Sequence, residues 1–181
     1  EGKQSFNHVV AFIDILGSSQ ILKSDDEKVI SDYLMGIDGL YLSSLNNVSD
    51  GVKMFSDNIL IYSESATEED AQSVVSSVAH IQWSIMKEFN LFIRGGIVMG
   101  RLDKIPEVES DYIIGKAIVE AHELESTIAI YPRVVVSKEV AELCSGPDSL
   151  IKTDWDFPFI DYLQMSIEEG FVSDDLKSYR Q

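Results

Sequence analysis

Two aspartates are the first candidates for chemistry in this chain. Asp14 interrupts an otherwise apolar run, His8-Val9-Val10-Ala11-Phe12-Ile13-Asp14-Ile15-Leu16-Gly17. Asp57 sits inside Val52-Lys53-Met54-Phe55-Ser56-Asp57-Asn58-Ile59-Leu60-Ile61-Tyr62, which reads as two short strands broken by a Ser-Asp-Asn turn signature. An acid at the tip of a tight hairpin is held rigidly and points out of the sheet, a good place for a metal ligand. The expectation is that Asp14 and Asp57 meet in space and hold a divalent metal for phosphate chemistry. The competing reading of each is a strand-end or turn aspartate satisfied by backbone amides.

The elements that must position them follow from periodicity and punctuation. Residues 8–14 are predicted as the first strand, broken by Gly17-Ser18-Ser19. Ser24-Asp25-Asp26-Glu27 starts a helix over residues 28–45, whose apolar stripe is Ile30, Leu34, Ile37, Tyr41 and Leu45. Residues 46–51 form a loop before the hairpin. Thr67, Glu68, Glu69 and Asp70 open a longer helix to about Asn90 that buries Val74, Val78, Ile81, Ile85 and Phe89. A strand over residues 91–100, a polar excursion over 101–110 and a helix over 117–126 come next. A short strand, Val134-Val135-Val136, precedes a helix capped by Ser137. Residues 150–153 and 159–163 make a last hairpin, and the tail from Ser166 is expected to be helical. These elements suggest an α+β sandwich of the ferredoxin-like type, an antiparallel-rich sheet covered by helices. No composition break divides residues 1–181, so a single domain is expected, with its core over about 8–163 and a tail over 164–181.

Composition narrows the partners. With 14 basic and 31 acidic residues the net charge is −17, which argues against nucleic acid, whose binding rests on clustered Lys and Arg. A polyanionic small substrate would need metal ions and a few well-placed cations to offset that field. One cysteine, Cys144, rules out an intrachain disulfide and suits a reducing cytoplasm. No apolar run reaches the length of a membrane span and no signal peptide is visible, so the expectation is a soluble, cytoplasmic domain. His8, His80 and His122 show no metal-ligand spacing with one another or with Cys144, which argues against zinc. There is no P-loop and no Gly-x-Ser-x-Gly elbow, and Trp83 and Phe89 read as core.

Several stretches in one order resemble the class III nucleotidyl cyclases, and among them the bacterial pyrimidine cyclases of the Pycsar anti-phage defence system. They are FIDILG (12–17), KMFSDN (53–58), IRGGIVMGR (93–101), GKAIVEAHELES (115–126), IAIYPRVVVS (128–137) and FIDYL (159–163). The resemblance runs from about His8 to Leu163. It implies a two-metal site for Mg2+ or Mn2+ held by Asp14 and Asp57 with help from the Ile15 carbonyl, while Asn58 remains a turn residue. It makes Arg101 the candidate triphosphate clamp, with Arg94 either sharing that task or pairing with a carboxylate; guanidinium suits the role through its bidentate geometry. The glycines between these arginines would let a ligand or another backbone approach closely.

Base recognition, by the same resemblance, falls to Lys53 and to Tyr112, which stands where purine cyclases carry a carboxylate and has Asp111 beside it. A phenol there suits a smaller pyrimidine base. The resemblance also implies an Asn and an Arg on the helix after Gly115, where this chain has Val119 and Glu123, so the charge must come from elsewhere, with Arg94 and Lys116 as candidates. The Glu120–Glu125 pattern looks like the pyrimidine branch; the other reading of Glu120 and Glu123 is a solvated face. The function implied is conversion of UTP first, and CTP next, to a cyclic mononucleotide and pyrophosphate. The partners implied are the nucleotide, a second copy in a homodimer with shared sites, and a downstream effector that reads the cyclic product. The rival readings are a nucleotide-binding pseudocyclase, a purine cyclase and a dimerisation module.

Overall fold

A computed structural model describes residues 7–47, 51–104, 113–154 and 157–165. Strand β1 (Asn7–Ile15) is its axis. Val9, Ala11, Ile13 and Ile15 belong to one buried cluster, and Val10 and Phe12 belong to another on the opposite face. Both faces of the strand are covered, which is why it reads as a continuous apolar run instead of an alternating one.

Strands β3 (Asn58–Tyr62) and β4 (Ile93–Arg101) flank β1, both antiparallel to it. With β2 (Gly51–Phe55), β7 (Val134–Val136), β8 (Ile151–Asp154) and β9 (Phe157–Ile160) they form a seven-stranded sheet in the order β2-β3-β1-β4-β7-β9-β8. Among the described residues only β4 and β7 pair in parallel. A separate two-stranded antiparallel pair joins β5 (Asp103–Lys104), at the start of the expected polar excursion over residues 101–110, to β6 (Ile113–Ile114) beyond it; residues 105–112 lie outside the described ones. Helices α2 (Glu27–Asn47), α3 (Glu68–Phe89) and α5 (Lys138–Leu143) send side chains into the cluster on one face. Helix α4 (Lys116–Thr127) covers the other through Ala117 and Ala121. The arrangement is the α+β, helix-covered sheet expected from the sequence. Among the described residues no helix is long and apolar enough to cross a membrane.

The strand break after β1 is made by Gly17, whose φ of 83° is open to glycine at no steric cost, and it leads into a one-turn helix, α1 (Ser18–Ile21). Helix α3 starts with a reciprocal cap. The Asp70 amide donates to Thr67 Oγ1 at 3.2 Å, and the Thr67 amide donates to Asp70 Oδ2 at 3.0 Å. Its stripe of Val74, Val78, Ile81 and Ile85 is buried as expected, with Phe89 partly buried.

Helix α2 turns inward a face only partly the one its apolar spacing suggests: Ile37 packs against the core and Ile30 is half-buried, but the centre of the inward face lies elsewhere. Tyr33, Gly36 and Leu40 are buried, whereas Leu34 and Tyr41 are 55% and 41% exposed; the side chain of Leu45 lies outside the described residues. The physical reason is close packing at two glycines. A Cβ on Gly39 would strike the Phe89 ring, and one on Gly36 would strike Leu91. A glycine seam carries no hydrophobic signal, so periodicity sets the stripe off-centre, keeping Ile37 and wrongly including Leu34 and Tyr41. The last strand also ends early: pairing stops at Ile160, and Tyr162–Gln164 form a 3-10 turn where residues 159–163 were expected to run as strand. The tail from Ser166 lies outside the described residues.

Two stability predictions follow from these contacts. Hydrogen bonds from Ser65 and Thr67 hold the Asp70 carboxyl below the usual carboxylate range. Its stabilisation is therefore full above the ordinary value of 3.8 and is lost as pH falls through the depressed folded value. Asp70→Asn should cost about 1 kcal/mol at neutral pH, and the gap from wild type should close on acidification in urea melts.

Candidate functional site

The register of β1 places three chemical groups at one end of the sheet. Asp14 lies opposite Asn58 on one side and opposite Arg94 on the other. It shares the α4 side of the sheet with Val10 and Phe12, two and four residues back along the strand. Asp57 precedes Asn58 in the two-residue turn between β2 and β3, where Ser56 adopts a φ of 60°, uncommon for a side chain other than Gly, Asn or Asp. The hairpin is thus the tight one the sequence suggests; Asn58, expected as a turn residue, instead opens β3, because the turn closes on Ser56 and Asp57 alone, and its Nδ2 donates to Asp57 Oδ1 at 3.4 Å.

The two carboxylates have opposite electrostatic settings. Burial pushes the Asp14 carboxyl upward and outweighs the hydrogen bond and charge of Arg94; the nearby Asp57 charge adds to the rise. At Asp57, burial is overcome by hydrogen bonds from Ser18, Ser56 and its own backbone amide, and the carboxyl lies below its usual value. Ser18 reaches it because Gly17 turns the chain into α1 directly after β1. Tyr33 of α2 lies beneath, its phenol raised by burial and then by the Asp57 charge.

Arg94 is the cation that joins Asp14 to a further carboxylate, Glu125. Its Nε and Nη2 both donate to Asp14 Oδ2 at 3.2 Å, and Nε lies 2.6 Å from Glu125 Oε1. That second approach is a charge contact without hydrogen-bond alignment, because the Nε–H is aimed at Asp14. Glu125 is 2% exposed, and its Oε2 lies 3.1 Å from His122 Nδ1. Burial raises the Glu125 carboxyl, with the Arg94 charge opposing. The His122 ring stacks obliquely on Phe12 at 4.9 Å between centroids, and Phe12 in turn meets Phe55 at 6.3 Å.

Glu125 reaches Arg94 because α4 lies unusually close to the sheet. A Cβ on Gly96 would collide with the Ala121 carbonyl oxygen, and one on Gly100 would press on Ala117. The glycines between the two arginines therefore admit a helix backbone. Sequence reasoning missed Glu125 and His122 as neighbours of the aspartates. The signal was present: Ala117, Ala121 and Glu125 recur every four residues, so an acid occupies the buried stripe of a short helix.

The other candidates are placed as follows. Arg101 closes the far end of β4, opposite Asn7 and seven residues from Arg94, roughly 23 Å along the strand. It is exposed and bound to Asp103, with Nη2 donating to Oδ1 at 2.8 Å and Nε at 2.8 Å from Oδ2. The fold does not bring it to Asp14 within one chain. Lys53 lies on β2 opposite Leu60, on the same side of the sheet as Phe12. Tyr112 and Asp111 lie outside the described residues. Ile15 ends β1 next to Asp14. On α4, Val119 is 57% exposed, Glu123 is exposed, and Lys116 pairs with Glu120 at 2.6 Å. His8 and His80 bond backbone carbonyls of Ser63 and Ser76 through Nδ1. Cys144 is buried, its thiol pushed up to about 11 by burial. Among the described residues no cluster of three or more His, Cys, Asp or Glu is arranged to hold a metal ion.

No family model and no curated protein matches the sequence. Solved structures do. The adenylyl cyclase CyaB from P. aeruginosa superimposes with a TM-score of 0.62 at 17% identity, over 87% of this chain and 92% of that one. The guanylate cyclase domain of RhGC from Catenaria anguillulae, in complex with GTP, gives 0.62 at 18% identity, over 80% and 85%. The monomeric guanylyl cyclase domain of the RhoGC fusion protein from the aquatic fungus Blastocladiella emersonii gives 0.66 at 16%, over 88% and 97%. The fold is that of the class III nucleotidyl cyclase catalytic domain.

Three substitutions separate the roles of these contacts in stability. Gly96→Ala should cost about 1–3 kcal/mol by forcing α4 off the sheet, while Gly146→Ala, with open space at its Cβ, should leave the unfolding midpoint unchanged. Arg94→Ala leaves Asp14 without its cation and Glu125 with His122 alone, and should cost about 3 kcal/mol at neutral pH. Both carboxyls already sit above their ordinary 3.8 and 4.5, so ionising them opposes folding as pH rises through the raised values. The penalty of Arg94→Ala should accordingly shrink as pH falls and the two groups protonate.

Proposed function

We propose that this chain is a nucleotidyl cyclase that converts a pyrimidine nucleoside triphosphate, UTP first and CTP next, to its 3′,5′-cyclic monophosphate and pyrophosphate. The observation that carries the reading is the meeting of Asp14, Asp57 and Arg94 at one end of a class III cyclase sheet. In the reaction the ribose 3′-oxygen forms a bond to the α-phosphorus, the bond to pyrophosphate breaks, and the hydroxyl proton is released. Pyrimidine preference and a role as a signal in anti-phage defence, read out by a downstream effector, rest on the sequence motifs alone.

The donor set fits a hard divalent cation. Asp14 and Asp57 supply carboxylate oxygens, the Ile15 carbonyl lies beside Asp14, and the mutual repulsion of the two acids is what a cation would relieve. Both Arg94 hydrogen bonds fall on Oδ2 of Asp14. Bound there, Mg2+ or Mn2+ would activate the 3′-hydroxyl and neutralise triphosphate charge. Arg94, a guanidinium inside an acidic protein, binds phosphate oxygens. The exposed Phe55 offers apolar ring surface beside the site, with Lys53 on the same strand. Arg101 cannot join this set from its own chain, so its part as a clamp requires a second copy in a homodimer that shares sites. The exposed Phe55, on the edge strand β2, supports such pairing.

A second reading has its own observation. The α4 positions where the family resemblance implies a transition-state Asn and Arg hold the exposed Val119 and Glu123, and Lys116 is engaged by Glu120. A nucleotide-binding pseudocyclase would tolerate that arrangement.

Separate incubations with ATP, GTP, CTP and UTP plus Mn2+, with products resolved by mass, distinguish the two. Cyclic UMP or cyclic CMP that disappears in Asp57→Ala is the expected result. Nucleotide binding with no cyclic product from any triphosphate would contradict the cyclase reading and favour the pseudocyclase.

A further inference from the structure

Arg94 is bound unequally to two carboxylates. Its two hydrogen bonds to Asp14 Oδ2 are long for charge-assisted ones at 3.2 Å, while its closest charged neighbour is Glu125 Oε1 at 2.6 Å. That oxygen is buried and accepts no hydrogen bond among the described residues, although Oε2 of the same carboxylate is satisfied by His122 at 3.1 Å. A buried acceptor left without a donor is costly, and here the missing donor is the adjacent guanidinium, misaimed by its bonds to Asp14.

The geometry points to Glu125 as a positioning residue that takes over Arg94 when Asp14 turns to a cation. Both guanidinium bonds fall on Oδ2, so a divalent ion taking Oδ1 would meet the arginine's positive charge still held against the same carboxylate. Without a second seat, Arg94 would either hold Asp14 against the ion or leave the site. Glu125 offers that seat without requiring the arginine to move away. It is fixed in place by the close packing of α4 on Gly96 and by its contact with His122. The handover leaves Arg94 with its charge at the site, available to phosphate oxygens. The inference rests on the proposed reading that Asp14 and Asp57 hold divalent metal, and adds to it what becomes of the arginine.

Arg94 and the cation thus compete for Asp14, and Glu125 relieves the competition. The consequence is a pair of opposite signs. Glu125→Gln, nearly isosteric, should commit Arg94 to Asp14 and remove one negative charge, weakening Mn2+ binding roughly tenfold. Arg94→Gln should remove the competitor and tighten Mn2+ binding several-fold. The measurement is a titration of Mn2+ alone into the full chain without nucleotide, followed by the electron paramagnetic resonance signal of the free ion. Thermal melts verify that each variant is folded. In turnover, Glu125→Gln should raise KM for the triphosphate more than it lowers kcat, because Arg94 is misplaced and no reacting group is lost.

Wild-type Mn2+ affinity in Glu125→Gln, or weaker binding in Arg94→Gln, would overturn the inference while leaving the metal site standing. A wild-type chain with no saturable Mn2+ binding that Asp57→Ala abolishes would overturn the metal reading and the inference with it. If Glu125→Gln does not fold, the sign of the Arg94→Gln effect decides alone.

Discussion

One guanidinium shared among acids is the constraint on which this structure depends. Asp14 and Glu125 both face Arg94, Asp57 stands in the adjoining turn, and the chain as a whole carries a net charge of −17. Burying carboxylates is expensive unless they are paired, and here burial has raised two of them despite the pairing. A protein selected only for stability would gain by replacing such a group with apolar side chains. Retaining it at the open end of a cyclase-type sheet is reasonable if the unbalanced charge is what attracts a cation and, through it, a triphosphate.

The rest of the fold serves to bring that group together and hold it. β1 contributes Asp14 and is gripped on both faces, so its register against β3 and β4 cannot slip without moving its whole apolar set out of the two cores. That register is what puts Arg94 opposite Asp14. The hairpin adds Asp57 at its turn, and the single turn of α1 brings Ser18 to it. On the opposite face from α2 and α3, the seam of Gly96 and Gly100 lowers α4 onto the sheet until Glu125 reaches the arginine. Packing and electrostatics are therefore coupled here: the missing side chains of two glycines set the distance of an ion pair.

Much of this was legible in the sequence, and the parts that were not share a cause. The β1 run, the hairpin around Asp57 and the capped helix α3 announce themselves through periodicity, turn chemistry and a Thr-x-x-Asp box. The two aspartates were expected to meet, and the register brings Asp14 beside the turn that holds Asp57. The inward face of α2 was legible only in part, at Ile37, because Gly36 and Gly39 contribute contact without hydrophobicity. Arg94 and Arg101 look alike in the string, and Arg101 was the favoured clamp; only the nine-residue register with β1 shows that they stand at opposite ends of one strand. Glu125 was read only as the end of the Glu120–Glu125 pattern that resembles the pyrimidine branch; its place on the Ala117–Ala121 stripe was the clue to burial.

The most direct measurement of the central claim is a crystal structure of the full chain with Mn2+ and a non-cyclising UTP analogue, using the anomalous signal of manganese. The account predicts anomalous density between the Asp14 and Asp57 carboxylates, phosphate oxygens against Arg94, and the Arg94 guanidinium hydrogen-bonded to Glu125. Manganese absent from that position, or the triphosphate bound away from Arg94, would contradict it.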